Sequence, residues 1–282
     1  MGKYNSIVKC ILKPEWCNSM LSIIDEKALS TFGEEILEKY KNKTARVAIA
    51  TANQIFEYAY NCGYMPNLQK ISTKIKTGKT SRPQVLTVEE QKRLTEYLLM
   101  EYDLKKLGIL ICLYAGLRLG EICGLRWGDI DLKRGVIKIS RTIQRISNSE
   151  GGTHFLIGTP KSNCSEREIP IPGFIYKLLL GIEAEPQCYV VTGTEKFIQP
   201  RTYQNTLKRY FKRCDMAHYH FHTLRHTFAS RAIEIGFDPK SLSEILGHAN
   251  VRITLDLYVH PSMEAKKRDM DHFCWFVENA RK

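Results

Sequence analysis

The chain has 282 residues, 43% of them hydrophobic and 26% charged, and 42 basic against 30 acidic side chains give a formal net charge of +12. These proportions fit an ordinary globular protein with one large core or two smaller ones. No apolar run approaches the roughly 20 residues that span a bilayer, and the first sixteen residues lack the apolar region and small-residue cleavage site of a secretory signal, so the expected location is the cytoplasm.

Residues 1–42 show helical patterning at Trp16–Ile24 and Phe32–Tyr40 but no motif. Residues 43–62 repeat apolar side chains at helical spacing, through Ala45, Ala48, Ile49, Ala52, Phe56 and Ala59, and Gly63 ends the helix. The segment Gln69–Arg82 then carries Lys70, Lys74, Lys76, Lys79 and Arg82 without one acid. Its composition is that of a linker, and its charge suits a phosphate backbone. Residues 1–82 hold 13 of the basic and 7 of the acidic residues, leaving 29 and 23 for the remainder, so the shorter part is the more charge-dense. An excess of this kind favours a polyanion, because neutralised phosphates release counterions. The expected organisation is a helical domain over 1–68, a basic linker over 69–84 and a larger domain over 85–282.

The larger domain opens with the capping-box pattern Thr87-Val-Glu-Glu90. Helices are expected over about 88–101, 104–115 and 118–126. Past Gly128, the alternation in Val136–Ile143, and the runs His154–Ile157 and Glu168–Ile171, predict strands of one small antiparallel sheet. From about residue 173 the chain reads as helical again. His222–Ile235 ends at Gly236, Pro239–Leu246 is capped by Asp238 and closed by Gly247, and a helix from Asn250 carries Tyr258. The fold class is mainly α with a small antiparallel β-sheet. Nine cysteines stand singly with no Cys-x-x-Cys pair, so no zinc knuckle or redox motif is indicated.

Four stretches hold side chains suited to chemistry. Arg118 follows a glycine turn and opens a helix, where an anion meets both the guanidinium and backbone N–H groups. Glu121, one turn on, is placed to orient it. In His222-Thr-Leu-Arg225-His226 the spacing puts His222 and Arg225 on one helical face. A metal reading of His218, His220, His222 and His226 competes, but no carboxylate or cysteine stands where a hydrolytic zinc motif needs one. Leu246-Gly-His248 leaves His248 at an exposed corner after a helix end. Tyr258 lies ten residues further on, and taken alone it reads as a core residue.

Taken together, the order Arg, His-x-x-Arg, Gly-His, Tyr and the contexts AGLRLGEICGLRWGDID, HTLRHTFAS and LGHANVRITLDLY resemble the tyrosine recombinases, or phage integrases. The resemblance runs from about Leu86 to Tyr258, with a weaker match of residues 43–82 to the end of the family's core-binding domain and its linker. It implies a two-domain architecture, a helical core-binding domain plus a catalytic domain. The region before the linker is short for that family, either a compact version of the domain or one whose start has been lost.

The resemblance also implies roles. Arg118 and Arg225 hold the scissile phosphate, His222 and His248 occupy the two active-site histidine positions, Lys161 is the lysine of a β-hairpin turn, Glu121 supports the first arginine, and Tyr258 is the nucleophile. The chemistry agrees. A phosphodiester under attack gathers negative charge on its equatorial oxygens, which paired arginines neutralise without a metal. A tyrosine hydroxyl, with a free pKa near 10, needs hydrogen-bond or base help, a task His222 suits. The implied activity is site-specific DNA recombination through a 3′-phosphotyrosyl ester, without cofactor, metal or ATP, in the integration or excision of a phage or other mobile element. The implied partners are double-stranded DNA, further copies of the chain in a tetramer, and accessory directionality or bending proteins. The competing readings are a type IB topoisomerase and a DNA-binding protein descended from a degraded integrase.

Overall fold

The computed structural model describes residues 24–72, 83–100, 102–147, 152–158, 166–259 and 263–279. They fall into two compact units, one drawn from 1–81 with 146–154 and the other from 82–145 with 155–282. Trp16 to Ile23, and the basic positions Lys74, Lys76, Lys79 and Arg82, lie outside the described residues, as does Lys161.

The smaller unit is built on α1 (Glu26–Lys39) and α2 (Asn42–Asn61). Asp25 caps α1 by accepting a hydrogen bond from the Ala28 N–H at 2.7 Å. Leu29, Phe32 and Ile36 of α1 and the stripe Ala45, Ala48, Ala52 and Phe56 of α2 are buried in one core. The alanines let the two helices approach closely, and Phe32 and Phe56 supply the bulk. Beyond α2, Asn53 Oδ1 accepts from the Ile71 N–H at 2.8 Å and so ties the following strand of chain to the helix. Lys70, next to that tie, is exposed.

The larger unit begins with α3 (Val88–Leu99) and α4 (Leu104–Ala115). The capping box at Thr87 and Glu90 is present in both directions. Helix α4 is buried on nearly every face, as its sequence LKKLGILICLYA dictates. Short α5 (Leu119–Gly124) and a 3₁₀ turn (Trp127–Asp129) lead into β1 (Ile130–Asp131), β2 (Val136–Ile139), β3 (Thr142–Ser147), β4 (Thr153–Gly158) and β5 (Arg167–Pro170). Then follow α6 (Gly173–Leu179), α7 (Pro200–Arg213), α8 (Phe221–Glu234), α9 (Pro239–Leu246), α10 (Val251–Tyr258) and α11 (Met263–Asn279).

The sheet differs from the expectation. Among the described residues there are two, a three-stranded antiparallel sheet in the order β1-β2-β5 and a separate pair β3-β4. The single strand predicted over Val136–Ile143 is interrupted at Ser140 and Arg141, because Asp129 holds both side chains, Arg141 through an ion pair and Ser140 through its hydroxyl. In the three-stranded sheet Ile137 stands opposite Ile169, and both are buried in the main core. The helix expected to 126 stops at Gly124, since Arg126 is extended and its N–H donates to Asp129 Oδ2. Among the described residues no helix is long and apolar enough to cross a membrane.

Candidate active site

Two glycines in the left-handed conformation set the frame. Gly116 ends α4 with φ 70°, and Gly247 ends α9 with φ 63°. A side chain at either is disfavoured twice, by backbone strain and by space. A Cβ at Gly116 would stand 2.6 Å from Phe228, and one at Gly247 would stand 2.9 Å from the Arg167 guanidinium. Both turns leave main-chain carbonyls without helical partners, and arginines take them.

Arg225, on α8 and only 2% exposed, donates from Nη1 to the Gly116 carbonyl at 2.8 Å and from Nη2 to the Leu246 carbonyl at 2.7 Å. Arg118, the residue before α5, donates from Nη2 to the Gly247 carbonyl at 2.8 Å and from Nη1 to Glu121 at 2.6 Å. Its side chain remains 34% exposed. A guanidinium has five N–H donors, and these bonds leave others on both arginines for an anion. Burial and the neighbouring Arg118 draw Arg225 down to about 9, which keeps it charged at neutral pH.

Glu121 is the counterweight. It returns to the Arg118 N–H at 2.8 Å, and Arg167 of β5 binds both its oxygens at 3.1 and 3.0 Å. Burial alone would raise this carboxyl, but the bonds and charge of Arg167, followed by Arg118, hold it at about 2. Arg167 also donates from Nε to the Ile245 carbonyl at 2.6 Å. Three guanidinium groups, Arg118, Arg167 and Arg225, therefore gather around one carboxylate, which leaves a surplus of positive charge.

The histidines surround this surplus. His248 follows Gly247 and is half-buried, whereas the sequence suggested an exposed corner. Its Nδ1 lies 2.8 Å from the Thr254 hydroxyl, and this contact folds the ring inward against α10. His222 and His226 sit one turn apart on α8 with ring centroids 4.5 Å apart. Burial, then His226 and Arg225, lowers His222 to about 4. Burial, then Arg225 and Arg118, lowers His248 to the same value. Among the described residues no three His, Cys, Asp or Glu side chains come together as a metal site.

Tyr258, at the end of α10, is 8% exposed and packs with Ala229, Ala232, Leu242 and Leu246. Burial raises its hydroxyl pKa, against the lowering effect of Arg225 and Arg118. The hydrogen bond of that hydroxyl is to His226 Nδ1, at 2.6 Å. The fold thus brings Arg118, Glu121, His222, Arg225, His248 and Tyr258 into one site. Two further members, Arg167 and His226, were not singled out from sequence as site residues. Arg167 stands in the sequence just before the predicted strand Glu168–Ile171, and His226 reads there only as a candidate metal ligand.

The sequence model of the phage integrase family matches residues 84–265. A tyrosine recombinase XerC-like protein of Caldanaerobacter subterraneus subsp. tengcongensis is 27% identical over 92% of this chain and 72% of its own length. The transposase of transposon Tn916 from Enterococcus faecalis is 29% identical over 66% of this chain, which spans only half of that protein. Among solved structures, the Tn1549 transposon integrase in complex with a circular intermediate DNA has the same fold, with a TM-score of 0.73 over 95% of this chain and 92% of the integrase, at 20% identity.

Proposed function

The chain belongs to the phage integrase family and is an enzyme that breaks and rejoins DNA, and we propose that it does so with Tyr258 as nucleophile on a phosphodiester held by Arg118 and Arg225. One observation carries the assignment. Residues from α5, α8, α9 and α10 meet around the carbonyls of Gly116, Leu246 and Gly247, and the buried tyrosine lies within the field of both arginines.

The chemistry is an in-line exchange of esters. Tyr258 Oη bonds phosphorus, the bond to the 5′-oxygen breaks, and a 3′-phosphotyrosyl ester and a 5′-hydroxyl result. Negative charge that builds on the equatorial oxygens is met by fixed guanidinium groups in a partly dry site, where such contacts are strongest. His222 and His248 bond the phosphate, and Lys161 supplies the proton that the leaving 5′-oxygen needs. A 5′-hydroxyl from a second duplex then attacks the ester, and strands are exchanged with no external energy source.

The likeness to the Tn916 transposase favours integration or excision of a mobile element. Lys70, Lys74, Lys76, Lys79 and Arg82 are assigned to the phosphate backbone beside the target, and the work is placed in the cytoplasm with accessory bending or directionality proteins. Assembly into a tetramer has its own support. An apolar groove of about 450 Å³ in the larger unit is lined by Tyr114, Ile171, Phe228, Ile235, Phe237 and Ile245. Helix α11 exposes Met263, Met270, Phe273 and Trp275, the last at 66%. The α11 of a second copy is the occupant proposed for that groove.

The test is covalent trapping. Protein is mixed in EDTA with DNA containing the gene's own genomic flanks, and the mixture is quenched in detergent. Protein-linked DNA that is lost with Tyr258→Phe, while DNA binding persists, is the expected result. Cleavage by Tyr258→Phe at the wild-type level would overturn the assignment.

A further inference from the structure

This inference rests on Tyr258 being the nucleophile and concerns where its proton goes. Helices α8 and α10 place His226 Nδ1 2.6 Å from Tyr258 Oη, with ring centroids 5.8 Å apart and planes at 51°. That is the reach a proton acceptor needs. The charged and titratable groups around the imidazole are Arg225 and His222 on α8, His220 just before it, and Tyr258 from α10. Among the described residues none of these is a carboxylate that would hold the ring protonated.

We propose that His226, and not His222 as the sequence suggests, is the general base for Tyr258, its Nδ1 taking the phenolic proton as Oη bonds phosphorus. The role requires the neutral tautomer with its proton on Nε2, which leaves Nδ1 as an acceptor. In cleavage the P–Oη bond forms, the bond to the 5′-oxygen breaks, and that oxygen keeps the electron pair and takes a proton from the leaving-group side of the site. The phenolic proton stays on His226. In rejoining the imidazolium returns it to the departing phenolate, so each cycle restores both groups and consumes nothing. Burial, then Arg225 and His220, lowers His226 to about 4, so the ring is neutral at pH 7 and its Nδ1 is free of a proton when the hydroxyl donates to it. The incoming phosphate supplies the negative charge that stabilises the imidazolium beside Arg225.

The experiment measures single-turnover cleavage from pH 6 to 9.5 on normal DNA and on DNA with a sulfur bridging the 5′ side of the scissile phosphate. Such a leaving group needs no proton. Wild type, His226→Ala and His226→Asn are compared, with Tyr258→Phe as the blank and with folding and DNA binding checked for each. General-base loss amounts to about 10²–10⁴-fold, so both His226 variants are expected to be slower by a factor in that range at pH 7. Their rates should rise roughly tenfold per pH unit as phenolate forms, and added imidazole should restore part of the rate to His226→Ala. The sulfur substrate should not rescue them, since the missing group serves the nucleophile. Asparagine can hold the hydroxyl but cannot take its proton, so a His226→Asn rate equal to wild type would overturn the proposal. So would a slow variant with an unchanged pH profile and no response to imidazole, which is the behaviour of a packing residue. Absence of any covalent complex with wild type would remove the nucleophile and its base together.

Discussion

Arg167 closes on both carboxylate oxygens of Glu121 across 46 residues of chain, with the Glu121 side chain 2% exposed and that of Arg167 6% exposed. A buried pair of this kind is not a large net source of stability, but breaking it from one side leaves an uncompensated charge, which costs about 3–5 kcal/mol. Glu121→Ala should therefore destabilise the larger unit by about that amount in urea unfolding. Arg167→Ala should do the same, and the double variant should lose much less than the sum. Because Glu121 also fixes Arg118, covalent complex formation should fall at least tenfold in Glu121→Gln, a substitution that keeps the shape and removes the charge.

Gly247→Ala combines a left-handed backbone with a Cβ against Arg167. The conformational term alone is roughly 1–2 kcal/mol, so a fall of several degrees in Tm is expected. Cleavage should fall with it, because the Gly247 carbonyl receives Arg118. Gly236→Ala is the control. Its φ of 91° is also strained, but nothing lies within 4 Å of an added Cβ, so it should lose stability with cleavage unchanged.

His222, His226 and His248 are all lowered from an ordinary 6.5 to about 4. Over that interval the unfolded chain binds more protons than the folded one, so stability rises with pH. It is fully present above about 6.5 and is lost as the pH falls towards 4. Glu121, lowered from 4.5 to about 2, extends the loss into still more acid solution. Chemical denaturation at pH 7, 5.5 and 4.5 should show the decline. Histidine NMR titrations should find the three rings neutral at pH 6, with His248 shifting upward when a phosphodiester binds.

The exposed apolar face of α11 predicts a separation of binding from assembly. A chain ending at residue 262, or one with Trp275→Ser, should bind a single DNA site with unchanged affinity and fail to hold two duplexes together. Phe237→Asp, in the groove, should give the same result. Sedimentation of the DNA complexes checks it, and tetramers persisting in all three variants would exclude this contact.

Much of the molecule was legible in its residues because the relevant physics is local. Thr87 and Glu90 satisfy each other's backbone across one turn, Gly116 and Gly247 stop helices wherever they occur, and Asp238-Pro239 starts one. The spacing of Arg118, His222, Arg225, His248 and Tyr258 survives in the chain because each sits at a fixed place on a short element. Tertiary structure decided what those side chains meet. Arg141 leaves the predicted strand for Asp129, Arg167 crosses to Glu121, His248 turns in to Thr254, and the Tyr258 hydroxyl goes to His226, 32 residues away. Periodicity reports which face of an element is buried, whereas a hydrogen-bond partner depends on how two elements approach, and that follows from the packing of the whole core.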